Sequence, residues 1–98
     1  MGLIDGFDKS LDHRIRLGIM SILVVNESAT FNRLKELLEV TDGNLASHTK
    51  TLEKAGYVTV EKSFVDRKPN TRFIATKAGK MAFTSHIEAI EKLLKRNT

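Results

Sequence analysis

Thr41-Asp42-Gly43-Asn44-Leu45-Ala46-Ser47-His48-Thr49-Lys50-Thr51-Leu52-Glu53-Lys54-Ala55-Gly56 is the stretch on which the fold turns. Leu45, Thr49 and Leu52 recur at helical spacing, so one side of a helix over about 42–55 faces inward. Thr41 suits the N-cap, where its hydroxyl accepts from a backbone N–H that has no partner inside the helix. Gly56 suits the left-handed residue just past the helix end, a conformation that costs glycine little. Immediately upstream, Phe31, Leu34, Leu37 and Leu38 stripe a short helix over about 32–39, with Arg33, Lys35 and Glu36 on its wet side. Only the turn Val40 to Gly43 separates the two, which is helix-turn-helix spacing.

Working outward, Leu11, Ile15, Ile19, Ile22 and Leu23 set the inner face of a first helix over about 11–25. Met20 and Val24 widen that face, so this helix is central, and Asn26-Glu27-Ser28 ends it. Beyond Gly56 the period changes. Tyr57 to Phe64 is rich in β-branched and aromatic residues, as a half-buried strand is. Asp66 to Asn70 is polar and carries the turn signal Pro69-Asn70, and strand character resumes over 72–76. A last helix starts at the N-cap Thr76 and runs to about Lys95, with an apolar side of Ala82, Phe83, Ile87, Ile90, Leu93 and Leu94. The expectation is a single domain over 1–98, mainly α with a small β-hairpin (α+β), in the order α1-α2-α3-β-wing-β-α4. Residues 11–75 hold the helix-turn-helix and wing, and 76–95 the terminal helix.

The chain's 98 residues leave no room for a second core. Its longest strongly apolar stretch, Leu17 to Val25, falls far short of the roughly 20 residues a bilayer requires. The opening MGLIDGFDKS lacks the basic-then-apolar build of a secretory signal. Zero cysteines exclude disulfides, thiolate metal sites and thiol nucleophiles, and a cytoplasmic setting is expected. The net charge of +4 is a weak hint of an anionic partner by itself. Its distribution says more: residues 1–42 are net acidic, and the basic excess lies in 43–72, on Lys50, Lys54, Lys62, Arg67, Lys68 and Arg72, and in the final helix.

With Leu45, Thr49 and Leu52 turned inward, Asn44, Ser47, His48 and Thr51 fall on the outer face of the 42–55 helix, flanked by Lys50 and Lys54. Base edges are read by donors and acceptors on short arms: Asn bonds adenine bidentately, and Ser, Thr and His reach the groove floor without a bulky stem. Lysine at the margin suits phosphate, which fixes register but carries no sequence information. A merely polar solvated helix would account for this face about equally well, and the 65–72 wing shifts the balance. Arg67, Lys68 and Arg72 sit on or beside its loop, where a basic two-stranded projection lies along the backbone or inserts arginine into the minor groove.

Specific residues carry a resemblance. Asp12 to Ile19 resembles the R-L-x-I-L start of the first helix in the MarR/ArsR-like winged helix-turn-helix regulator superfamily, with Met20 where leucine is usual. Leu45 to Val58 resembles the V-S-x-H-L-K-x-L-E-x-A-G-L-V signature over its recognition helix, and Thr76 to Lys80 the L-T-x-x-G-R start of its last helix. Gly43-Asn44-Leu45 with Glu61-Lys62-Ser63-Phe64 is most similar to the small stand-alone winged-helix DNA-binding domain family within it. The resemblance covers about residues 11–92, and Thr49 departs from it where an apolar residue is usual. It implies base-facing roles for Asn44, Ser47, His48 and Thr51, and backbone or minor-groove contacts for Lys50, Arg67, Lys68 and Arg72. It also implies a homodimer through the terminal helices, with Phe83, Ile87, Ile90 and Leu94 at the interface, on a pseudo-palindromic operator. A long helix with so wide an apolar side agrees, since a small domain has little core to cover it.

No metal or cofactor is expected: His13, His48 and His86 are far apart in sequence, and none has a ligand partner one helical turn away. His13 reads as a capping or half-buried residue. No phosphate-binding glycine loop or nucleophile elbow is present, so the chain is not read as an enzyme. The expected function is a repressor of transcription on double-stranded DNA, open to an unidentified small-molecule effector. The alternative from another class is a winged-helix protein-interaction module without specific DNA binding.

Overall fold

The computed structural model describes residues 2–97. Its elements run α1 (Arg14–Asn26), β1 (Ser28–Thr30), α2 (Phe31–Leu38), α3 (Asp42–Lys54), β2 (Val58–Val65), β3 (Lys68–Ala75) and α4 (Lys77–Arg96). The helix caps follow the chemistry of their sequences. The Thr41 hydroxyl accepts from the Asn44 N–H at 3.2 Å and that of Thr76 from the Gly79 N–H at 2.9 Å. Gly56 takes the left-handed conformation with φ 81°. His13 caps α1, its Nδ1 accepting from the Ile15 N–H at 3.1 Å, so the first helix begins at Arg14 rather than Leu11.

Leu11, Ile15, Ile19, Met20 and Leu23 form the centre of the core, closed by Leu34 of α2, Leu45 and Leu52 of α3, and Val58, Phe73 and Ala75 of the sheet. Thr49 is buried among these, and its hydroxyl donates to the Ala46 carbonyl at 3.1 Å, so the polar atom is satisfied within its own helix. Gly79 explains the small residue at the start of α4. A Cβ there would stand 2.2 Å from the Tyr57 carbonyl oxygen, so only glycine lets α4 approach the α3–β2 connection this closely.

Two features of the sheet depart from the sequence reading. Ser28–Thr30 is a strand, so the sheet has three antiparallel strands in the order β1-β3-β2, with Ala29 opposite Phe73. Three residues are too few to display an alternation, and the strand forms because Ala29 packs inward beside Phe73. Second, the hairpin closes at Asp66-Arg67, not across Asp66–Asn70. Both turn residues have positive φ, 52° and 66°, which matches the two-residue type I′ turn whose twist suits a hairpin. Pro69 therefore lies inside β3, opposite Phe64. Val65–Lys68 flanks the turn as a hydrogen-bonded pair, so Phe64–Pro69 is a non-bonded pair and the missing N–H costs no ladder bond.

The segment before α1 packs on α4. Asp8 anchors it: its N–H donates to Nδ1 of buried His86 at 3.0 Å, and its carboxylate accepts from the Tyr57 hydroxyl and from the Ser10 N–H. The hydrogen bond to Asp8, with burial and the carboxylate's charge, pushes the Tyr57 phenol up to about 12, so it remains a donor throughout the physiological range.

Candidate nucleic-acid interface

The helix-turn-helix is set by a left-handed Glu39 (φ 52°), which ends α2, and by Thr41, which starts α3 two residues later. Lys35 of α2 reaches Asp42 of α3 at 2.7 Å, closing the angle between them. With Leu45, Thr49 and Leu52 buried, helical geometry puts Gly43, Ser47, Lys50 and Lys54 at the centre of the opposite face, and all four are exposed. Thr51 lies at the edge of that face, half-buried, its hydroxyl donating to the Ser47 carbonyl at 3.2 Å. Asn44 and His48, one turn apart, lie on a flank; Asn44 is exposed and His48 half-buried.

His48 is the residue whose surroundings sequence could not show. Its ring stacks against His13, centroids 4.2 Å apart, and its Nδ1 lies 3.0 Å from Nη1 of Arg16. Guanidinium only donates, so Nδ1 accepts and the proton of this neutral ring sits on Nε2. Arg16 also donates through Nε to the Ser10 carbonyl at 2.7 Å, tying α3 to the segment before α1. Burial first, then the neighbouring His13 and Arg16, holds His48 below the usual histidine range. The two histidines meet across 35 positions of sequence, a separation no helical spacing reports. Among the described residues, no three His, Cys, Asp or Glu side chains converge in a way that could hold a metal ion.

The wing separates the three basic residues expected to act together. Arg67 is in the turn and Lys68 beside it, both exposed. Arg72 is half-buried at the base of the ribbon, opposite Glu61, and its guanidinium donates to Ser28 Oγ of β1 at 2.8 Å. It serves the sheet. The exposed basic residues along α3 and the wing are therefore Lys50, Lys54, Lys62, Arg67 and Lys68. Lys62, counted in the basic excess but not among the expected contact residues, lies exposed on the wing with Phe64 and Val65, because β2 continues to Val65 and the turn falls at Asp66-Arg67.

On α4, Phe83, Ile87, Ile90 and Leu94 follow a four-three-four spacing along one flank; the first three are half-buried and Leu94 is 64% exposed. A groove of about 420 Å³ lies between the segment before α1, at Gly2, Asp5 and Gly6, and Glu88, Lys92 and Arg96 of α4.

A family model described as a winged helix DNA-binding domain matches residues 15–94. The chain belongs to the winged helix DNA-binding domain family. An uncharacterized protein of Methanocaldococcus jannaschii is 40% identical over 81 residues, spanning 83% of this chain and 88% of that protein. A solved transcriptional regulator homologue from Pyrococcus horikoshii OT3 superposes with a TM-score of 0.85 at 29% identity, covering 95% of this chain and 90% of that one. A MarR-like transcriptional regulator from Thermotoga maritima does so with a TM-score of 0.63 at 27% identity, covering 86% of this chain and 59% of that one. The resemblance to MarR/ArsR-like regulators thus holds, and the winged helix family is one of DNA-binding regulators, not of enzymes. No helix among the described residues is long and apolar enough to cross a membrane.

Proposed function

We propose that this winged helix protein is a homodimeric transcriptional repressor that binds a pseudo-palindromic site in double-stranded DNA. In this reading α3 enters the major groove, and the wing touches the adjacent backbone or minor groove. The observation that carries it is the outer face of α3: short polar side chains and two lysines, presented by a capped helix whose other side is locked into the core. Ser47, Thr51 and Asn44 are the base readers, with Nε2–H of His48 as a donor at the flank. Lys50, Lys54, Arg67 and Lys68 take phosphates or the minor-groove edge, while Arg72 holds the base of the wing.

The homodimer reading rests on α4. The spacing of Phe83, Ile87, Ile90 and Leu94 is that of a coiled-coil seam. The molecule measures 54 × 25 × 21 Å, and its radius of gyration of 14.7 Å exceeds the about 12.6 Å of a compact chain of this length. A twenty-residue helix with an apolar seam is what a dimer arm requires. Two copies would place their α3 helices one DNA turn apart, about 34 Å.

In vitro selection of duplex DNA, followed by binding across a salt series, tests the reading. The selected sequences should contain two inverted half-sites. If three basic residues per protomer meet phosphates, log affinity should fall with log salt at a slope of about −5. Asn44→Ala should relax the selected motif at one position per half-site, with a loss of about 1–3 kcal/mol, whereas Lys68→Ala should weaken all sequences alike. Binding that is flat with salt, or a selection that yields no motif, overturns it.

A further inference from the structure

A second pocket, of about 290 Å³, lies in the corner between the end of α1, β1 and α2, and reaches the base of the wing at Arg72. None of its lining residues belongs to α3 or to the wing tip. Strand alternation turns Ser28, Thr30 and Arg72 to the side of the sheet opposite buried Ala29 and Phe73. Helical spacing sets Arg33 and Leu37 one turn apart on the same flank of α2. The pocket thus combines two guanidinium groups and two hydroxyls with the apolar side chains of Ile22 and Leu37.

Arg72 decides the charge of an occupant. Its half-buried guanidinium donates through Nη1 to Ser28 Oγ at 2.8 Å and forms no ion pair with a carboxylate among the described residues. A partly desolvated cation with further N–H groups to donate favours an anion. Arg33 adds a second cation. Its pair with Glu36, at 3.2 Å, is exposed on both partners, and such a pair is weak enough to yield the guanidinium to an incoming anion. The hydroxyls of Ser28 and Thr30 accept from Arg72 and from the Arg33 N–H, and each retains its own O–H to donate. Leu37 decides the rest of the occupant. It is 46% exposed while Leu34 and Leu38 of the same helix pack inward, so with Ile22 it offers a wall that an inorganic anion would leave bare. No aromatic ring lines the pocket, so its walls suit an aliphatic chain. The groove beside α4 is larger, but Asp5 and Glu88 offset Lys92 and Arg96 there, and it selects no sign of charge.

We propose that this corner is a binding site for a short-chain aliphatic carboxylate. The carboxylate bridges Arg72 and Arg33, and the chain lies against Ile22 and Leu37. The site stands independently of the DNA-binding reading, since it uses neither the outer face of α3 nor the wing tip.

Titration of the nitrogen-labelled intact protein with hexanoate, followed through its amide shifts, tests the proposal. Hexanoate should bind with a dissociation constant of about 1 mM or below, and the largest shifts should fall at Ala29, Thr30, Arg33 and Leu37. Hexanol keeps the chain without the charge, and acetate keeps the charge without the chain. Each should bind at least about 10-fold more weakly. Arg33→Ala should weaken hexanoate about 10-fold, and so should Arg72→Lys, which keeps the charge but loses the planar fork. Leu37→Ala should weaken hexanoate about 3-fold and leave acetate as it was. Arg33 and Leu37 are exposed, so their variants retain the fold, and thermal melting verifies it. Shifts centred elsewhere overturn the proposal, as does hexanol binding as tightly as hexanoate. Acetate binding as tightly as hexanoate also overturns it, because the apolar walls would then contribute nothing. No DNA enters the titration, so a failure of the DNA-binding reading would leave its result unchanged.

Discussion

At the scale of single residues, the tightest link between sequence and physics is at the helix ends. Thr41, Gly56 and Thr76 were legible because each acts within four residues of its own position, through a cap or a left-handed turn, whereas Gly79 meets the Tyr57 carbonyl far away in sequence. His48 was not, because its environment comes from α1. Arg16 donates to Nδ1, which requires the neutral ring, and burial with His13 and Arg16 lowers its proton affinity. The folded-state pKa therefore lies below the unfolded value of about 6.5. Between those two values the unfolded chain binds more protons, so stability rises with pH there. The contribution is complete above about pH 6.5 and is lost as pH falls through the folded value. Thermal melts should show the protein losing stability from pH 7.5 to 5. His48→Gln, which keeps an acceptor but does not titrate, should show a smaller loss. Equal losses in both proteins would mean that the His13–Arg16–His48 cluster is not a source of acid sensitivity.

At the scale of elements, every helix was readable from periodicity, because each buries a stripe that repeats every three or four residues. The sheet was read less well. β1 is shorter than one full alternation, and in the hairpin a strong local signal, Pro69-Asn70, competed with a weaker one, Asp66-Arg67. The weaker one won because a two-residue turn keeps Lys62–Thr71 through Val65–Lys68 in register, while Pro69 fits a non-bonded position without cost. The turn retains some strain: Arg67 sits at φ 66°, where a side chain crowds its own backbone. Glycine would relieve it. Arg67→Gly should therefore stabilise the fold by about 0.5–1 kcal/mol in urea denaturation, and at the same time weaken DNA binding and flatten its salt dependence. A variant that loses stability would show that the left-handed turn is not the strained point. One that gains stability without losing affinity would remove Arg67 from the interface.

At the scale of the whole molecule, the question is why a chain this small carries a twenty-residue helix on its outside. Asp8 fixes one side of α4: it bonds His86 and Tyr57, which ties together the segment before α1, α4 and the α3–β2 connection. Along the flank of Phe83, Ile87, Ile90 and Leu94, Phe83 packs against the core, Ile87 and Ile90 are half-buried, and Leu94 stands largely in solvent. In the proposed dimer, an arm tied to the core at its root and apolar toward its end would transmit the spacing of the two α3 helices, which a flexible tether would not. Leu94→Glu separates this role from folding. In one copy the glutamate would remain solvated, so the monomer's melting should change by no more than about 0.5 kcal/mol. In a symmetric dimer the substitution occurs twice, each time placing a carboxylate where an apolar group was buried. The dissociation constant from sedimentation should then rise at least about 100-fold, a change of about 2.7 kcal/mol. Binding to a full inverted-repeat duplex should fall to the level of a single half-site, while half-site affinity stays as it was. If Leu94→Glu dimerises and binds both duplexes as the unaltered protein does, the seam on α4 is not the dimer interface, and the half-site spacing must be set by another surface.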